Sequence, residues 1–186
     1  GDYGRLLLVC GSEGYTGAAV MATEAALRSG AGLVSLGVPQ SIYPIVAAKL
    51  LEAMPFPLPD SDGRLSEQAL PELLDRLSRS DALLVGPGLG CSEQISELVA
   101  ALLSASTVPI VLDADGINAV SSNINILRSV SAPLVLTPHE GEFTRIGGDL
   151  THGRLQGAAD FATANGVILI LKGPGTIVAL PDGRTY

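Results

Sequence analysis

Short, continuously apolar runs alternate along this chain with longer segments of helical period. That alternation limits its fold more than any other feature. The runs fall at residues 6–10, 33–38, 82–86, 109–113, 134–137, 167–171 and 176–180. Unbroken apolar runs of this length suit strands covered on both faces. Between them the spacing predicts helices at 17–29, 41–51, 66–77, 92–103 and 153–164. In the fourth, Ile95, Leu98, Val99 and Leu102 recur every three or four residues and make one apolar face. Ser92 and Ser66 stand where N-caps belong. Alternating strands and helices predict an α/β fold, a doubly wound, mostly parallel sheet with helices on both faces. The stretch 54–63 carries Pro55, Pro57 and Pro59 and reads as a surface loop. At 186 residues the chain reads as a single domain, 1–186.

Composition excludes several classes. Lys and Arg number 11 against 19 Asp and Glu, a net charge of −8, with no basic stripe to follow nucleic acid. No apolar run is long enough to span a membrane, and no signal peptide is visible. Cys10 and Cys91 are too few for a disulfide scaffold and read as reduced thiols of a cytoplasmic protein. A mean hydropathy of +0.40 is high for a monomer and predicts a homo-oligomer. The chain starts directly before a strand and stops just after the turn Pro181-Asp182-Gly183, so the expectation is a partial domain, incomplete at its C-terminal side.

The chemistry-bearing residues sit in loops after strands, and in open α/β sheets ligands bind outside the carboxyl ends of strands. The loop Gly11-Ser12-Glu13-Gly14-Tyr15-Thr16-Gly17-Ala18 leads from a strand into a helix, a start that offers free amides to an anion; it equally fits a plain turn. Gly86-Pro87-Gly88-Leu89-Gly90 holds more glycine than a turn requires. Asp113 and Asp115 could hold a magnesium ion through water, or Asp115 could cap a helix. His139, at a strand-to-helix junction, is expected to serve as a neutral hydrogen-bonding group, with Glu140 and Glu142 suiting the first helical turn. His152 reads as a surface residue. Only two lysines exist, and Lys172 ends a strand beside Gly173, Pro174, Gly175 and Thr176, as a phosphate contact would be built.

Taken in order, residues 11–18, 30–34, 86–90, 113–115, 137–143 and 172–176 resemble the ADP/ATP-dependent NAD(P)H-hydrate dehydratases of the ribokinase-like superfamily. The Thr-Pro-His-x-Gly-Glu-Phe and Leu-Lys-Gly-x-Gly-Thr blocks carry most of the likeness. The resemblance implies a lyase that restores NADH or NADPH from the hydrated dinucleotide, with ADP or ATP and Mg2+. Ala18, Gly88, Gly90 and His139 would then contact the hydrated dinucleotide, and Lys172, Gly173, Pro174, Gly175 and Thr176 the nucleotide. The family's Gly-Gly-Ser/Thr-Gly-Asp block, with its catalytic Asp, would lie beyond Tyr186. These 186 residues alone are therefore expected to be inactive. Two other readings remain open: a ribokinase-like kinase of a small hydroxylated vitamin precursor, and a nucleotide-binding module without catalysis.

Overall fold

The computed structural model describes residues 2–186. In chain order its elements are β1 (Arg5–Val9), α1 (Thr16–Arg28), β2 (Leu33–Pro39), α2 (Tyr43–Ala47) and β3 (Met54–Leu58). A small hairpin of β4 (Asp60–Ser61) and β5 (Arg64–Leu65) follows, then α3 (Leu70–Leu77), β6 (Ala82–Val85), α4 (Glu93–Ala105) and β7 (Ile110–Leu112). The rest is α5 (Asp115–Ala119), β8 (Leu134–Leu136), α6 (Glu140–Arg145), α7 (Arg154–Asn165), β9 (Ile168–Leu171) and β10 (Ile177–Ala179). Short 3-10 helices occupy Glu67–Ala69 and Ile124–Ser129. The N-cap expected at Ser92 is present, its hydroxyl accepting from the Ile95 amide at 3.2 Å. Ser66 makes no side-chain cap and instead donates to the Pro59 carbonyl at 3.2 Å.

Eight strands form one sheet in the order β10-β9-β8-β7-β6-β1-β2-β3, parallel throughout except for the antiparallel β9–β10 pair. The chain lays β2 and β3 on one flank of β1 and β6 on the other. The winding therefore reverses between β1 and β6, which opens a crevice at the carboxyl ends of those two strands.

The proline-rich stretch read as a loop is in fact β3, the edge strand beside β2. Alternate residues of a strand face alternate neighbours. Leu58 turns its carbonyl to the Gln40 amide at 2.9 Å, so Pro55 and Pro57 face the free edge, where no amide is needed. The end of the stretch runs on through residue 65 as the β4–β5 hairpin around Asp62-Gly63, where Asp62 takes φ of 50°. The helix expected at 41–51 is held to five residues, Tyr43–Ala47.

Helices lie on both faces but share the work unequally. Leu8 of β1 and Cys10 just beyond it join Val34, Leu36, Ala19, Ile42 and Val46 in a core under α1 and α2. Leu7 and Val9 face the other way, into the larger core under α3, α4, α5, α6 and α7. Phe143 of α6 meets Phe161 of α7 edge to face there, ring centroids 5.3 Å apart. On the first face, Val111, Val135, Ile168, Ile170 and Val178 are only half-buried and join neither core. Among the described residues no helix covers that half of the sheet.

Candidate functional site

The loops singled out by sequence converge at the carboxyl ends of β1, β6, β7, β8 and β9. At the winding reversal the first two interlock. Gly11 donates to the Pro87 carbonyl at 2.8 Å, and the buried Ser12 hydroxyl donates to the Gly88 carbonyl at 2.8 Å. Gly88 has φ of 69°, and a Cβ there would lie 2.9 Å from the Cβ atoms of both Ala18 and Tyr15. Its glycine therefore lets the 86–90 loop lie against the start of α1, bringing Gly88 and Ala18 together. Gly90, at φ of 77°, leaves the space taken by Arg64 of the β4–β5 hairpin, 2.6 Å from where its Cβ would stand. The hairpin thus borders the same crevice, and Gly63 receives the Glu13 amide at 2.8 Å.

The two aspartates of Asp113-Ala114-Asp115 part company. Asp113 accepts from the Thr137 hydroxyl at 2.6 Å and pairs with Lys172 Nζ at 3.0 Å, tying β7, β8 and β9 at their ends. Asp115 accepts from the Gly90 amide at 2.9 Å and from Asn118 Nδ2 at 3.2 Å. Between them Ala114 takes φ of 50° and ψ of −116°, a backbone conformation that L-residues rarely adopt and that turns the two carboxylates to different loops. Among the described residues no three His, Cys, Asp or Glu side chains gather as a metal ion would require. The two aspartates thus serve different loops.

Asp115 also lies beside Cys91, whose Sγ is 3.7 Å from Oδ1. Partial burial, then the Asp115 carboxylate, raises that exposed thiol above its usual range. Burial raises the thiol of Cys10 much further, with the Asp113 charge adding to it.

His139 caps α6. Its Nδ1 accepts from the Gly141 amide at 3.0 Å and the Glu142 amide at 3.2 Å, while Glu142 accepts from the His139 amide at 2.9 Å. This reciprocal pair is a capping box with histidine in the place of serine. The cap requires Nδ1 unprotonated, and Nε2 of this 58% exposed side chain stands 3.6 Å from Glu142 Oε1. Lys172 donates its amide to the Pro138 carbonyl at 2.8 Å, so the His139 and Lys172 segments run side by side. His152 lies away from this edge, in a hollow of about 310 Å3 beside Arg128 and Asp160.

Arg154, the first residue of α7, escaped the sequence reading. Its Nη1 donates to the Pro174 and Gly175 carbonyls at 2.8 and 2.9 Å. Its Nη2 donates to Lys172 and Leu171 at 3.3 and 3.5 Å. Its Nε stands 2.7 Å from Glu140 Oε1, out of line for a hydrogen bond. One signal could have found it: a cation in the first turn of a helix opposes the helix dipole and so calls for another partner.

A family model described as NAD(P)H-hydrate dehydratase matches residues 6–186. The chain is 44% identical over 191 residues to a bifunctional NAD(P)H-hydrate repair enzyme of Moorella thermoacetica, covering all of this chain and 36% of that protein. It is 34% identical to an ADP-dependent (S)-NAD(P)H-hydrate dehydratase of Bacillus subtilis, covering 64% of it. The chain thus spans about a third of the first relative and just under two thirds of the second. Among solved structures, the B. subtilis ADP/ATP-dependent NAD(P)H-hydrate dehydratase co-crystallized with ATP/Mg2+ superposes with a TM-score of 0.76 at 28% identity, over 99% of this chain and 63% of that one. A ribokinase-like superfamily protein of Enterococcus faecalis shares the fold, with a TM-score of 0.82 at 24% identity, over 96% of this chain and 61% of that one.

Proposed function

Since the chain belongs to the NAD(P)H-hydrate dehydratase family, we propose that it forms part of a nucleotide-dependent dehydratase that returns hydrated NADH or NADPH to the reduced coenzyme. In this reading residues 1–186 lie in one ribokinase-like dehydratase domain. Ala18, Gly88, Gly90 and His139 face the hydrated dinucleotide, and Lys172, Gly173, Pro174, Gly175 and Thr176 run along ADP or ATP. The nucleotide's terminal phosphoryl group passes to the ring hydroxyl, releasing AMP from ADP or ADP from ATP, and phosphate and a proton then leave the ring to restore its double bond.

The observation that carries this reading is the packing of Gly88 on Ala18 at the reversal of winding. It makes a floor over which a ligand can approach backbone closely. The 172–176 loop stands on the same edge of the sheet, three strands away. Asp113 is engaged by Lys172 and Thr137, and Asp115 by Gly90 and Asn118. Mg2+ would enter with the nucleotide phosphates. The half-covered face of the sheet and the high mean hydropathy support self-association.

Calorimetric titration of the chain with hydrated NADPH and with ADP tests the reading, and both should bind. Binding of thiazole or pyrimidine alcohols in place of the dinucleotide would refute it.

A further inference from the structure

The Lys172–Thr176 loop has an internal support that takes no part in the proposed reaction. Arg154 draws four carbonyls toward one guanidinium: those of Leu171, Lys172, Pro174 and Gly175. A trans peptide points its N–H opposite to its C=O. Each captured carbonyl therefore sends the amide of the following residue to the other side of the loop. The amide after Leu171 is that of Lys172, already given to Pro138. The other three belong to Gly173, Gly175 and Thr176, and they donate to nothing within the described chain. Several free amides facing one side make an anion-binding concavity.

Gly173 fits the same arrangement. A Cβ at that position would lie 2.5 Å from Arg154 Nη2, so the glycine gives the guanidinium its seat. Glu140, in the first turn of α6, lies against Arg154 Nε and links the support to the helix that His139 caps. A cation at the start of α7 is unfavourable for the helix itself, so its place is explained by the loop.

We propose that Arg154 is the positioning residue of the nucleotide loop, holding its carbonyls inward so that the amides of Gly173, Gly175 and Thr176 face the phosphates. The inference rests on reading this loop as the nucleotide's. Lysine keeps the charge but cannot fork to four carbonyls, so Arg154→Lys is the decisive variant and Arg154→Ala its companion.

Two measurements on the chain separate the possibilities. The first is affinity for ADP, which should weaken roughly tenfold or more in both variants. Affinity for hydrated NADPH and the thermal midpoint of Arg154→Lys should stay close to wild type. The second is amide hydrogen exchange without ligand, in which Gly173, Gly175 and Thr176 of Arg154→Lys should show a changed, less ordered pattern. Unchanged ADP affinity in Arg154→Lys overturns the proposal, as does an equal loss of dinucleotide affinity. If the wild-type chain binds no adenine nucleotide, the nucleotide reading fails. The exchange data then decide the structural claim, which an unaltered loop pattern in Arg154→Lys overturns.

Discussion

At the scale of single residues, the site is built by glycines and side chains that hold backbone in place. Gly88→Ala would force a left-handed alanine into contact with Ala18 and Tyr15. The expected cost is about 1–2 kcal/mol from the backbone alone, read as a lower midpoint in urea unfolding. Gly86→Ala should be worse, because its Cβ would overlap the Asp113 carbonyl and no side-chain movement relieves a backbone clash. The thiols test where Asp115 points. Its carboxylate raises the thiol of Cys91. Removing the charge in Asp115→Asn should lower that thiol's pKa, enlarge the thiolate fraction and speed alkylation of Cys91 at mildly alkaline pH. Cys10 is fully buried and should stay unlabelled until the protein unfolds. An unchanged rate at Cys91 would mean that Asp115 does not face the 86–91 loop. The glycine loops were legible in sequence because the glycines cluster, and Lys172 because the chain has only two lysines. Arg154 was not, since its partners are carbonyls 17 to 21 residues away, which no local pattern encodes.

Elements show the same division. Strands β1, β2, β6, β7, β8 and β9 were readable because each is a short unbroken apolar run bounded by turn residues. Strand β3 was hidden by Pro55 and Pro57, which are excluded from a central strand but harmless where their nitrogens face an open edge. The short α5 was legible only as a helix that Asp115 could cap; Asp115 is instead its first residue, and Ala114, an ordinary residue in an uncommon conformation, takes the cap position. The start of α6 was legible as a junction, but not the way it is capped. His139→Ala removes the acceptor for two amides and should cost about 1 kcal/mol. His139→Asn, with a side-chain oxygen suited to the same position, should recover most of it. Equal stability of His139→Ala and wild type in thermal unfolding would show that α6 does not depend on the cap.

At the scale of the whole molecule, sequence announced helices on both faces of the sheet but not how unevenly they are divided. Apolar runs look alike whether the second face is covered or only half-buried. The self-association proposed above would use the row of Val111, Val135, Ile168, Ile170 and Val178. Ile170→Lys combined with Val178→Lys should lower the sedimenting mass and the binding of a hydrophobic dye. A wild-type chain that sediments only as monomer would refute this. The strand order has a further consequence, in time rather than space. After β6, every strand pairs with the strand made just before it: β7 on β6, β8 on β7, β9 on β8 and β10 on β9. Strand β1, by contrast, waits for its second neighbour until β2 and β3 have been synthesised on its other flank. A chain leaving the ribosome thus meets one long delay and then a series of short ones. Protease resistance of progressively longer nascent chains should rise first when β6 docks and then strand by strand, each newcomer sealing the edge left by the last.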